Sequence, residues 1–134
     1  MSNQKIMPFL SFTGNAEEAM NFYVAVLPSA KITSLVRYEK GQPHGDEGKV
    51  LNGILSLMGQ QMMFMDMPSA NPAPVFSWAT SFFIHCQSEA EFDAVFSGLS
   101  RGGTVMMGPE AIMQFRKVAW VTDRFGVTWQ PVWE

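Results

Sequence analysis

The chain has 134 residues, 47% of them hydrophobic and 16% charged, with a formal net charge of −3. That length buries roughly two thirds of the unfolded surface in one ordinary domain without staples or metals, and the balance of apolar to charged residues excludes disorder. No apolar run is long enough to cross a bilayer as a helix and no basic run offers counterion release, so neither membrane nor nucleic acid is expected as a partner.

The opening segment, MSNQKIMPF, has neither the basic start nor the apolar stretch of a signal peptide. Cys86 is the single cysteine and has no intrachain partner, so the expected location is cytoplasmic and reducing. A strand over Met7–Phe12 leads to Asn15 and Glu18, which are spaced as a capping box. Behind it Ala19, Phe22, Tyr23 and Val26 follow the spacing of one helix face. Strands are predicted over 31–38, 49–57 and 61–66. The stretch MPSANPAPVFSW then carries three prolines and reads as a connection.

The pattern repeats with an offset of 73 residues, since Thr80–His85 falls on Met7–Phe12, Ser88 and Glu91 on Asn15 and Glu18, and Phe92, Val95, Phe96 and Leu99 on the first apolar face. Strands over 104–108, 115–122 and 127–133 follow, with a tight turn at Asp123–Gly126. Pro131 inside the last strand predicts an edge or a bulge. The expectation is a single α+β domain over residues 1–134, made of β-α-β-β-β modules at 5–66 and 79–133 that curl around a cleft with their helices outside.

Strand parity puts Phe82, Ile84 and Cys86 on one face and Ser81, Phe83 and His85 on the other. With the helix on the first set, His85 looks into the cleft. It is the candidate catalytic residue, a general base with a pKa near ~6.5 in the unperturbed state, or else a wall histidine held by a hydrogen bond. Cys86 reads as a buried structural thiol, and His44 in GQPHGDEG as a solvated loop residue. The five methionines at positions 58 to 67, and Trp78, Trp120, Trp129 and Trp133, read first as core and sheet residues and second as walls for an apolar ligand.

Paired β-α-β-β-β modules, NFYVAVLP closing the first helix and DRFGVTWQ entering the last strand resemble the vicinal oxygen chelate superfamily, which contains glyoxalases, bleomycin resistance proteins and extradiol dioxygenases. PFLSFTGNAEEAMNFY and TDRFGVTWQ look most like its PhnB-like group, often described as a 3-demethylubiquinone-9 3-methyltransferase domain. The resemblance implies a glyoxalase-like fold, a homodimer and a small-molecule cleft. In metal-dependent members four His or Glu ligands sit at positions that fall here on Pro8, Ser81, Gln130 and, near the fourth, Met65 or Asp66. That set predicts no metal, since a transition metal wants several imidazole, thiolate or carboxylate donors. No other cofactor is expected. The cleft-lining candidates are Pro8, Leu10, Asp66, Ser81, Phe83, His85 and Gln130, with Glu110 as a further acidic group.

The expected function is binding of a small, largely apolar molecule. The alternatives are methyl transfer of the 3-demethylubiquinone-9 type and sequestration of an antibiotic. Methyl transfer from S-adenosylmethionine usually needs a glycine-rich loop before a helix. The only matching loop, FTGNAEE, has one glycine.

Overall fold

A computed structural model describes residues 5–134, and the chain divides after Pro74 into two compact units. In the first, β1 (Phe9–Phe12), α1 (Ala16–Val26), β2 (Lys31–Arg37), β3 (Val50–Leu57) and β4 (Gln60–Asp66) form a sheet in the order β1-β4-β3-β2. In the second, β5 (Ser81–Cys86), α2 (Glu89–Ser100), β6 (Thr104–Ile112), β7 (Phe115–Thr122) and β8 (Thr128–Trp133) repeat that topology as β5-β8-β7-β6. The first strand of each unit runs parallel to the last, and every other neighbour is antiparallel. Parallel neighbours cannot be joined by a tight turn, so the helix and the intervening strands serve as the crossover. The fold is α+β and glyoxalase-like, built from two β-α-β-β-β units.

Each helix covers one face of its own sheet. In the first unit Ala16, Ala19, Met20 and Tyr23 are buried. Phe64 lies 5.8 Å from Phe12 and 6.0 Å from Tyr23, ring centre to ring centre. Met20 presses so closely on β3 that a Cβ at Gly53 would meet its Sδ and Cε at 2.7 Å, which explains a glycine in mid-strand. In the second unit Phe92, Val95 and Leu99 of α2 are buried, as is Trp129, whose ring lies 5.2 Å from that of Phe82. Asp123 closes that core: its Oδ1 accepts from the amides of Phe125 and Val127, and its Oδ2 from Trp129 Nε1 at 2.9 Å.

Pro131 departs from expectation. Its strand, β8, is an inner strand flanked by β5 and β7. The β7 ladder runs Lys117↔Trp133 and Val118↔Val132, then Val121↔Trp129 and Thr122↔Thr128, leaving the proline step between them. A residue without an N–H is accommodated there at the cost of a gap in one ladder.

The two halves also match differently in their helices and strands. The cap positions Asn15 and Ser88 are 73 residues apart, but the strand ends Phe12 and Cys86 are 74 apart. The extra residue lies in the first unit's strand-to-helix loop, where Gly14 takes up a φ of 96°. Side chains alternate along a strand, so a shift of one residue exchanges its faces. Equivalence at 73 residues therefore holds for the helices and fails for the first strands.

Candidate functional site

FTGNAEE lies where nucleotide-binding proteins present backbone amides to an anionic or ribosyl ligand. Here two of those amides are already engaged. Asp66 Oδ1 accepts from the amides of Gly14 at 2.7 Å and Ala16 at 3.0 Å, and its Oδ2 accepts from that of Val50 at 2.9 Å. The residue is only 1% exposed. It acts as an internal anion at the start of α1, joining the end of β4 to the β1–α1 loop and the start of β3.

Two expectations are corrected by this arrangement. Asn15 stands at the cap position but makes no side-chain capping bond, and the first helical amide, that of Ala16, is met by a carboxylate from β4. Asp66 itself is not a ligand-facing carboxylate, since both its oxygens are spent on the backbone. The second helix is capped as expected by Ser88, whose Oγ accepts from the Glu91 amide at 3.1 Å, while Glu91 Oε1 reaches one residue beyond the cap to the Gln87 amide at 2.9 Å.

Leu10 is the third correction. It is buried and shares by alternation the α1 side of β1 with Phe12. Pro8, just before β1, accepts from the Met63 amide through its carbonyl and falls on Leu10's side by the same alternation. The face of β1 turned from the helix carries Phe9 and Ser11, paired with Met63 and Met65. The one-residue slip described above places Leu10 on the helix side. Among the methionines Met62 is core, whereas Met63 and Met65 are half-buried on the face opposite α1.

In the second unit Ile84 and Cys86 are buried on the α2 side. Ser81, Phe83 and His85 alternate to the other face, where the strand pairings continue them as three rows across the sheet. Ser81 continues into Thr128, Thr122 and Thr104, a row of hydroxyls. Phe83 pairs with Gln130; the antiparallel register between Val118↔Val132 and Val121↔Trp129 sets Trp120 opposite Gln130, and Met107 completes the row. His85 continues into Val132, Val118 and Glu110.

Local contacts organise this face. Gln130 Nε2 donates to Ser81 Oγ at 2.6 Å, and the Thr122 and Thr128 hydroxyls share a hydrogen bond of 2.8 Å. Trp78 lies 6.1 Å from the Trp120 ring. Phe115 sits edge-on to both Phe83 and His85, at 6.1 Å and 6.2 Å. His85 Nε2 is 3.7 Å from Glu134 Oε1 with both side chains about half exposed, a pairing that holds the ring only loosely. Phe83 and Trp78 are 58% and 60% exposed, uncommon for such large apolar groups.

Sequence reasoning put Ser81, Phe83, His85 and Gln130 among the cleft-lining candidates, held Trp78 and Trp120 only as second-choice walls and passed over Phe115. Counting back from Gln130 across the Asp123–Gly126 turn would have set Trp120 beside it.

These donors do not fit a divalent transition metal. At the ligand places implied by the resemblance stand a hydroxyl at Ser81 and a neutral amide at Gln130, while the Asp66 carboxylate is committed to backbone amides. Among the described residues no three His, Cys, Asp or Glu side chains gather into a metal-holding group.

Burial first, and the nearby Glu91 second, push the Cys86 thiol up to about 12, against a smaller lowering by the Val132 backbone. It stays protonated and unreactive at neutral pH. Iodoacetamide at about pH 8 should leave the native protein unmodified and label it once urea unfolds it; rapid labelling of the native chain would contradict this placement.

The family model described as 3-demethylubiquinone-9 3-methyltransferase matches residues 4–132. Among solved structures, a PhnB protein from Bacillus cereus is 37% identical, with 98% of this chain and 100% of its own covered and a TM-score of 0.88. A glyoxylase/bleomycin resistance protein/dioxygenase domain from a Frankia species is 12% identical, with 99% and 92% covered and a TM-score of 0.68. An antibiotic binding protein from a Streptomyces species is 14% identical, with 99% and 98% covered and a TM-score of 0.59. The last two are likenesses of fold alone. No curated protein matches the chain.

Proposed function

This chain belongs to the PhnB-like family described as 3-demethylubiquinone-9 3-methyltransferase, and from that premise we propose that it binds a small, largely apolar molecule without a metal. One observation carries the reading: the face of the second sheet opposite α2 sets exposed Trp78 and Phe83 beside Trp120 and the Ser81–Gln130 pair. Aromatic walls with a few placed polar groups are the usual composition of a small-molecule site. His85, exposed and on the same face, is the acid–base candidate if the bound molecule is turned over.

Methyl transfer, the activity in the family's description, is the less supported reading. The one loop suited to an S-adenosylmethionine site has its Gly14 and Ala16 amides bonded to Asp66. Titrating the protein with S-adenosylmethionine in a calorimeter should give no heat of binding, and saturable binding at micromolar concentration would restore the methyltransferase reading. Sequestration of an aromatic antibiotic remains compatible with the same face. A thermal-shift panel of quinones, aromatic antibiotics and phosphonates tests the proposal, because a molecule that binds only the native state raises the melting temperature. If no aromatic compound does so, the proposal falls.

The reading includes a homodimer in a cytoplasmic setting. Light scattering should give twice the 15.0 kDa chain mass; the mass of one chain would remove that part.

A further inference from the structure

The segment MFMDM, residues 63–67, alternates two kinds of side chain. Phe64 and Asp66 turn to the α1 side, where Phe64 meets Tyr23 and Asp66 binds backbone amides. Met63, Met65 and Met67 therefore fall on the opposite face. Pairing with β1 carries the alternation past the end of β4, since the Met63 amide donates to the Pro8 carbonyl at 2.8 Å and the Met67 amide to that of Phe12 at 2.6 Å. All three methionines are half-buried. The methionines that fill the core of this unit differ from them, Met20 and Met62 being 0% and 2% exposed.

Successive members of the column are about 6.6 Å apart at Cα, and three rotatable bonds let each thioether swing toward the next. Two or three sulfurs can thus share one ion. Thioether is a soft, neutral donor that suits monovalent copper and silver and serves zinc or magnesium poorly. Met63 stands between Phe9 and Ile54, and Met65 beside Ser11, so these strand neighbours bring no cationic group against a metal ion.

We propose that Met63, Met65 and Met67 form a site for a soft monovalent metal ion, copper(I), on the face of the first unit turned from α1. The site lies wholly within that unit and does not rest on the small-molecule reading. Cys86, a thiol buried in the second unit, is the rival soft donor.

Silver(I) nitrate in chloride-free buffer is the probe, because silver(I) shares the ligand preference of copper(I) without its redox chemistry. In protein isotope-labelled at the methionine methyl groups, the Met63, Met65 and Met67 resonances should shift and saturate at about one silver per chain. Those of the exposed Met58 and Met113 should stay in place, and zinc should move none of them. Met65→Leu, which conserves volume, should weaken silver binding about tenfold or more. Replacing all three methionines by leucine should abolish it. Copper(I) offered from a competing chelator should be captured by the wild type and left behind by the triple variant. The inference is overturned if the column does not respond, if Met58 and Met113 respond equally or zinc acts like silver, or if the wild type captures no copper(I). Undiminished silver binding by the triple variant also overturns it and points to Cys86. Melting curves establish that each variant is folded, and should the triple variant not fold, Met65→Leu decides alone.

Discussion

Asp66→Ala should destabilise the protein by about 3 to 5 kcal/mol, although Asp66 belongs to no binding surface. The substitution removes three hydrogen bonds at once and leaves the amides of Gly14, Ala16 and Val50 facing a small apolar side chain. Each stranded buried donor costs about 1 to 3 kcal/mol, and water entering the gap recovers part of that. A chain of this size should melt roughly 10 to 20 °C lower. Asp66→Asn separates geometry from charge. Its carbonyl can still accept from Gly14 and Ala16, while its amide group would meet the Val50 N–H, donor against donor. Its cost should fall below that of alanine but stay above about 1 kcal/mol. Urea unfolding measures both, and an Asp66→Ala midpoint within error of wild type would refute the role assigned to this carboxylate.

Trp129→Ala should cost about 4 kcal/mol. The indole is 1% exposed, and its Nε1 donates to Asp123 Oδ2. Truncation opens a cavity the size of a two-ring system in a packed interior. Trp129→Phe tells packing from hydrogen bonding: it refills most of the volume and still removes the Nε1 bond to Asp123 Oδ2. A loss of about 1 to 2 kcal/mol for phenylalanine is expected. Phenylalanine as damaging as alanine would show that the bond to Asp123, not the packing, dominates at this position.

Both residues show how much was legible in advance. Periodicity located both helices and nearly every strand, because the apolar spacing of an amphipathic element is written locally in the chain. Cys86 could be read as buried from the alternation of SFFIHC alone. Asp66 could not be interpreted that way, since an aspartate ending a strand looks the same whether it meets a ligand or three amides. Its partners lie 16, 50 and 52 residues away. Leu10 was misread for a related reason. The 73-residue offset was taken from the helix starts, and one extra residue at Gly14 reversed the faces of β1.

The chain's own pattern determined the α+β class, the duplicated β-α-β-β-β order and the family, because each depends on local periodicity or on short stretches such as DRFGVTWQ. It also placed Ser81, Phe83 and His85 on one face, since alternation holds within a single strand whatever surrounds it. Only the tertiary structure decided which groups stand beside them. Trp120, Trp78 and Phe115 reach that face through pairing registers and ring contacts between different segments, and Asp66 leaves the list of ligand-facing groups through bonds across the sheet. Cross-strand neighbours are set by register, and register is a property of the packed sheet rather than of any one segment.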